Sequence, residues 1–541
     1  MAPLGRLTGT ARIALAAALL FAHARRYDVL CDDAFISLRY ARNLAEGHGL
    51  VYNAGERVEG FTNFLWVLAE ALLLRLGASP RLAVDVLGFL TALAAAYVVE
   101  RGAERLELRP VGRLVAHAAV VSSVSFAVWL LAGLEASAYG VLVLGVFVSA
   151  DEAISSDTPW RHGAVVAGLV ASAAMLLRPE TPLVVACAAV AALLVARERA
   201  VMPLLRAGVT FATVVGPLLV ARRLYYDDWL PNTFYLKTTG DGAALLEQGK
   251  RYVAYAVKHH GVLLGLALAG VLVVVRAPRT RAFGLAAALF VSGYGLYVAR
   301  VGGDFLPATR FFAPLVPLLA LLAGFVVQEL GLRVPEALPR AVHRGARGVV
   351  AGVAASLLMA PQLEWSRTVS TDHEPEERAL HIEPLRWTRL YGLRWSALGR
   401  WIAAHAKEGD GMAMGAAGAA PYYAGSGVSN LDILGLCDRY VAREGIVVGS
   451  RPGHQRRSPV AYTLAKRPVF LFEGDYDSEV APSLQRDATW ESRGYTWAAA
   501  RVDAERYEAP STFWWVFLLR RDRADELRGT PDLALAMDEL N

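Results

Sequence analysis

The sequence predicts a polytopic α-helical membrane protein with a soluble α/β or α+β domain at its C-terminal end. Three observations predict it. Of 541 residues, 55% are hydrophobic and only 19% charged, against about 45–50% and about 25% in soluble domains. The excess sits in Ala-, Leu-, Val- and Gly-rich blocks between about residues 11 and 361, whereas the chain beyond 361 has ordinary soluble composition. The apolar blocks have the length of membrane spans and alternate with short basic loops. A disordered chain, a small disulfide scaffold and a cytosolic enzyme are thereby excluded.

A span takes about 20 mostly apolar residues. Such segments lie at approximately 10–26, 83–100, 114–132, 136–150, 162–178, 182–197, 204–224, 261–276, 282–299, 309–330 and 347–361, eleven in all. A further stretch, 61–77, carries Glu70 and Arg75. Cytoplasmic loops are rich in Lys and Arg. The basic loops 101–113, 197–206, 276–281 and 333–347 fall on one side only if 61–77 does not cross. That stretch then reads as an interfacial or re-entrant helix.

The expected topology has a cytoplasmic N-terminus, eleven spans of a plasma (inner) membrane and an extracytoplasmic tail. The basic start and the apolar run after it read as an uncleaved first span rather than a signal peptide. Residues 1–361 form the membrane domain, with a first outside loop at 27–82, and 362–541 the soluble domain.

Within the tail, Ser396–Lys407 reads as helix, Arg467–Glu473 and Thr512–Arg520 as strands, and the Gly-rich 409–427 as loops and short turns. The net charge of +5 is met by basic residues flanking spans and calls for no nucleic-acid partner. Three cysteines make no disulfide framework. Cys31 and Cys437 both fall outside, so a bond between them is open, although no spacing demands it.

The same topology places five polar segments outside: DDAFISLRYARN (32–43), GLE (133–135), RPE (178–180), PNTFYLK (231–237) and GGDFLPATRFF (302–312). Asp32 and Asp33 open an amphipathic helix. One acid suits the helix N-terminus. Neighbouring side chains on a helix point apart, so the other is left to face a cavity, where a carboxylate can deprotonate a hydroxyl. Arg178, Lys237 and Arg310 each stand just outside a span. Their plainer role is snorkelling to the interface; their chemical one is a cradle for a phosphate. Glu135 and Asp304 are carboxylates at span ends, and Gly302-Gly303 allows a tight turn that presents Asp304. His48 is a lone histidine in the loop GHGLVYN (47–53), for which a surface turn is the plainer role. The basic GHQRRSP (453–459) reads as a solvated loop. Neither an HExxH zinc pattern, a Walker loop nor a GxGxxG context is present.

The long segment DDAFISLRYARNLAEGHGLVYNAGERVEGFTNFLW (32–66), with PNTFYLK and GGDFLPATRFFAPLVP (302–317), resembles the glycosyltransferase C superfamily. Within it the likeness is greatest to the actinobacterial arabinofuranosyltransferase B family, and it extends into the tail through LDILGLCDRYVA (431–442) and GHQRRSPVAY (453–462). The resemblance implies a polyprenyl-phosphate donor of D-arabinofuranose and a cell-envelope glycan acceptor at the outer face of the membrane. It implies Asp32 as catalytic base and Asp33 as second acid of the motif. Lys237 and Arg310, with Arg178, then serve the donor phosphate, and His48, Glu135, Asn232, Tyr235 and Asp304 are substrate-binding candidates. No cofactor is expected. Carboxylates such as Asp32, Asp33 and Asp304 also suit an oxygen-preferring divalent cation, but none is predicted. Within the class, the alternative is a hexosyl or aminosugar transferase acting on lipid A, protein or another envelope glycan. Outside it stand a transporter or flippase, for which paired discontinuous spans and a midplane site are expected, and a non-enzymatic envelope-assembly protein.

Overall fold

A computed structural model describes residues 8–155, 162–237, 241–332, 340–369, 375–449, 451, 453–474, 477–503 and 512–536. Each of the eleven expected segments falls on a helix, or for 114–132 on a bent pair. Seven helices are long and apolar enough to cross a membrane: Pro80–Arg105, Ala136–Ser155, Glu198–Tyr226, Gly242–Val274, Arg281–Arg300, Arg310–Gly331 and Gly345–Thr368. The pair Pro110–Ser122 and Val124–Leu131, bent by 57°, makes an eighth. Gly9–Arg25, Gly163–Leu177 and Thr181–Ala196 are shorter, at 17, 15 and 16 residues. The chain is therefore a polytopic helical membrane protein. The most enclosed of the long helices is Arg310–Gly331. Its run LLALLAGFVV is apolar on every side, as a helix surrounded by others requires.

The stretch 61–77 forms the helix Phe64–Arg75. Twelve residues rise about 18 Å, short of the roughly 30 Å hydrocarbon core. This helix packs along Asp32–Ala45, and together they build the platform after the first helix.

The polar connections sort to two ends. At one end Arg12 and Arg113 pair with Glu100, Arg101 with Glu152, Arg105 with Asp151, and Arg279 with Glu107. At the other end the residues after the C-termini of Gly9–Arg25, Glu198–Tyr226 and Arg281–Arg300 meet the tail, through Leu30 at Gly392, Asp228 at Arg443 and the Phe305 carbonyl at Glu383.

Nine strands are described in the tail: β1 (Gly411–Met414), β2 (Ser429–Asp432), β3 (Ile446–Val447), β4 (Arg456–Arg457), β5 (Phe470–Leu471), β6 (Asp477–Ser478), β7 (Tyr495–Asp503), β8 (Thr512–Arg520) and β9 (Leu533–Leu535). The main sheet runs β2-β1-β5-β8-β7-β9, with β6 also on β8. β1 is parallel to β2 and β5; the other pairs are antiparallel. β3 and β4 form a separate hairpin. The helix Leu385–His405 covers one face, with Trp395 against Trp515 at 4.1 Å between ring centres. The RPVFLFE strand is confined to Phe470–Leu471. The Gly-rich 409–427, expected as loops and turns, instead holds β1 and the helix Ala419–Ala424. Gly409 and Gly425, at φ +86° and +100°, make the turns, whereas Gly418 serves close backbone approach. All three cysteines are free and buried.

Candidate active site

Asp32 is the first residue of the helix Asp32–Ala45, whose N-cap is Cys31. Its Oδ1 accepts a 2.7 Å hydrogen bond from the backbone N–H of Ala419, at the start of the tail helix Ala419–Ala424. The two backbones lie so close at Gly418 that a Cβ there would fall 1.9 Å from the Asp32 carbonyl oxygen. On the opposite side Gly133, at φ +91°, lets the connection after Leu131 run beside Ala34 and Leu30. Two glycines thus clamp the start of this helix. Asp32 is buried, whereas Asp33 is partly open and lies within electrostatic reach of Arg310.

Two cations, Arg310 and Arg178, lie near one another. Arg310 grips Asp304 with two hydrogen bonds, Nε to Oδ2 at 2.7 Å and Nη2 to Oδ1 at 2.9 Å. Arg178 donates to Glu135 at 2.9 Å and to both oxygens of Glu180 at 2.9 and 3.2 Å. The Phe311 ring lies beneath both guanidinium groups, at 5.3 Å from Arg310 and 5.5 Å from Arg178. Tyr297 donates to Glu180 at 2.7 Å. Burial raises the Glu180 carboxyl, but the adjacent Arg178 outweighs it and holds the pKa at about 2. Glu135 also accepts from Asn63, which exchanges hydrogen bonds with Ser37 one turn beyond Asp33. One polar network therefore runs from the first helix platform to Arg178.

The chain reaches Arg310 through Ala308 and Thr309, both left-handed at φ +53° and +46°. Thr309 is held in that conformation by Ser125 at 2.6 Å and His260 at 3.1 Å, and Trp129 donates to the Pro307 carbonyl at 3.1 Å.

The structure thus brings together Asp32, Asp33, Glu135, Arg178, Asp304 and Arg310. Asn232 and Tyr235 stand elsewhere and serve the tail: Asn232 donates to the carbonyls of Gly435, Leu436 and Asp438, and Tyr235 to Asp228 at 2.6 Å. His48 is exposed beside Glu46, 3.8 Å away. Lys237 ends the short helix Asn232–Lys237, and its side chain lies outside the described residues. Among the described residues no three His, Cys, Asp or Glu side chains converge as a metal set.

Sequence reading missed four members of this region. Glu180 closes the segment RPE (178–180). Asn63 had no signal beyond its place before an apolar run. Glu70 is wholly buried; burial, together with neighbouring Glu135, pushes its carboxyl well above the usual range. Arg39 is buried and donates to the carbonyls of Tyr52 and Val428 at 2.8 Å, and to Pro421 and Gly425. Its position four residues after Phe35, on an apolar helix face, was the available signal.

Beside this cluster lies a cavity of about 580 Å³ lined by Leu44, Phe64, Met175, Leu176, Leu218 and other apolar side chains. Arg57, Glu59 and Arg222 also line it, and Arg222 pairs with Glu59 at 2.9 Å. Met175 and Leu176 belong to the last turn of the helix that precedes Arg178.

Residues 385–518 match a family model described as a domain of unknown function, DUF8728. The chain is 30% identical over 332 residues to a terminal β-(1→2)-arabinofuranosyltransferase of Corynebacterium glutamicum, covering 54% of this chain and 47% of the relative. It is 29% identical over 335 residues to the Mycobacterium tuberculosis protein of the same name, covering 54% and 51%. The chain thus spans about half the length of the curated relatives it matches. In fold it is similar to ArnT from Cupriavidus metallidurans, solved in the apo state and bound to undecaprenyl phosphate. The TM-scores are 0.51 and 0.50 at 12% and 13% identity, over 76% of this chain and 83% of ArnT. The chain is thus similar in fold to ArnT and similar in sequence to the terminal β-(1→2)-arabinofuranosyltransferases.

Proposed function

We propose that the protein is a membrane glycosyltransferase that moves D-arabinofuranose from a polyprenyl-phosphate donor to a cell-envelope glycan at the outer face of the plasma membrane. The observation that carries this reading is that Arg310 lies within electrostatic reach of both Asp33 and Arg178, with a largely apolar cavity lined by the helix turn that precedes Arg178. The names of the sequence relatives support the sugar. The tail lies at the polar end of the bundle and is read as extracytoplasmic, opposite the basic loops.

In this reading the acceptor hydroxyl oxygen attacks the anomeric carbon of the donor. Its proton passes to Asp32, which the Ala419 N–H holds in place. The bond between sugar and phosphate breaks, and the polyprenyl phosphate leaves with the electron pair. A phosphate needs little help from a general acid. It needs its growing charge met by fixed cations, which Arg310 and Arg178 supply, with Lys237 as a third. Asp304 and Glu180 hold those guanidinium groups in place before donor arrives. The lipid chain lies in the cavity between Leu44, Phe64 and Leu218.

The test is transfer by the purified protein from synthetic polyprenyl-phosphoryl arabinofuranose to a short arabinan, with Asp32→Asn alongside. Turnover that the variant lacks supports donor, class and base together. Turnover only from a polyprenyl-phosphoryl hexose or aminosugar keeps the mechanism and overturns the sugar. Wild-type turnover in Asp32→Asn overturns the base.

A further inference from the structure

The hairpin β3–β4 carries three consecutive exposed apolar residues, Ile446, Val447 and Val448, at 55%, 53% and 55% exposure. A solvated strand alternates its apolar side chains to one face, so this run is unusual on a surface bathed in water. A long run of this kind on a strand edge is an association hazard unless something covers it.

What surrounds the hairpin identifies the cover. It follows directly on the helix Arg439–Glu444. That helix is bolted to the end of the long apolar helix Glu198–Tyr226: Arg439 donates to the Tyr226 carbonyl, and Arg443 pairs with Asp228 and stacks over Tyr235 at 4.2 Å. Asn232 adds its three bonds to the chain just before the helix, at Gly435, Leu436 and Asp438. Between these anchors Trp229 is 57% exposed, and Leu230 and Phe234 are exposed beside it. The helix Glu198–Tyr226 packs on Gly163–Leu177 along one side, and few residues of its apolar stretch are fully buried, which leaves it a lipid-facing flank.

We infer that Trp229, Leu230, Phe234 and the 446–448 hairpin form one patch that seats the tail in the outer lipid leaflet. The patch is continuous with the lipid-facing flank of a span. It presents a tryptophan at the level where such residues concentrate. Its other strand adds the positive charge of Arg456 and Arg457, whose guanidinium groups also donate to the carbonyls of Gly445 and Glu473 and whose charge favours an anionic lipid surface. Apolar side chains of an interfacial element enter about 5–10 Å below the headgroups. The same anchors tie the patch to the loop bearing Asn232, so lipid seating also fixes the height of the tail over Asp32.

The test uses the full chain in nanodiscs containing an anionic phospholipid. The native cysteines are buried, so Val447→Cys and the control Ser492→Cys are labelled singly with an environment-sensitive fluorophore. The expected result is a blue-shifted label at 447, quenched several-fold more by shallow nitroxide lipids than by aqueous iodide, with the reverse order at 492. Iodide quenching at 447 equal to that at 492 overturns the inference. A 447 signal that turns iodide-sensitive on dilution to one copy per disc assigns the patch to a second copy instead and likewise overturns it. Val448→Cys replaces Val447→Cys if the latter is not monodisperse. The outcome does not depend on turnover, so it stands or falls apart from the proposed reaction.

Discussion

Asp32 and Ala419 are 387 residues apart in the chain, yet the carboxylate of one accepts the backbone N–H of the other at 2.7 Å. The tail is therefore part of the site: it fixes the acid assigned as base. The contact exists because Gly418 has no side chain to separate the two backbones. Gly418→Ala puts a methyl group where the Asp32 carbonyl lies. Turnover is expected to fall by roughly ten- to hundredfold, the value of one hydrogen bond to a charged group at about 1.5–3 kcal/mol. Steady-state transfer, with a melting curve to confirm folding, measures it.

Arg310 should matter to the donor more than to the acceptor. Arg310→Ala is expected to raise donor KM by about tenfold or more and lower kcat, leaving acceptor KM nearly unchanged. Arg310→Lys is expected to recover only part, because a point charge cannot reproduce the paired grip seen on Asp304. Equal effects on both substrates contradict a phosphate role.

Arg39 ties the first platform to the tail: its guanidinium donates to the carbonyls of Tyr52, Val428, Pro421 and Gly425 and to Asn53 Oδ1. Arg39→Met leaves those buried carbonyls without their donor, at about 1–3 kcal/mol for each unsatisfied group. A clear drop in melting temperature and faster proteolysis between the tail and the bundle are the expected readouts.

Acid should loosen the Arg178 network. The Glu180 pKa is lowered from 4.5 to about 2, so its ionised form is the one favoured by folding. Its contribution is full above pH 4.5 and is lost as pH falls toward 2. Melting curves from pH 6 down to pH 2 should show this step in the wild type and a smaller one in Glu180→Gln.

The apolar cavity gives a chain-length prediction. Leu218→Trp fills part of its roughly 580 Å³. Transfer from long polyprenyl donors should decline several-fold, while a short-chain donor analogue should be less affected. Equal loss for both donors separates the cavity from the lipid.

Much of the site was legible because its chemistry is local. Asp32 and Asp33 are adjacent, the apolar periodicity around them marks their helix, and Arg310 and Asp304 lie six residues apart in one motif. Asn232 and Tyr235 were singled out in a motif of the same kind, yet they face the tail, because the loop's facing is set by what docks on it. Glu70 looked like a reason to doubt a span and is instead a buried acid beside Glu135.

Composition and charge asymmetry by themselves determined the membrane class, the positions of the apolar helices and the segments that carry ionisable groups. Those properties follow from transfer of side chains between water and lipid, which depends on short stretches of chain. Only the tertiary structure decided which of those groups meet. It decided that a Gly-rich stretch of the tail folds into a strand and a helix and closes over Asp32, and that Arg39 is spent on carbonyls rather than on substrate. The reason is that buried polar groups take whatever partners the packed backbones bring within about 3 Å, and no local pattern encodes a neighbour several hundred residues away.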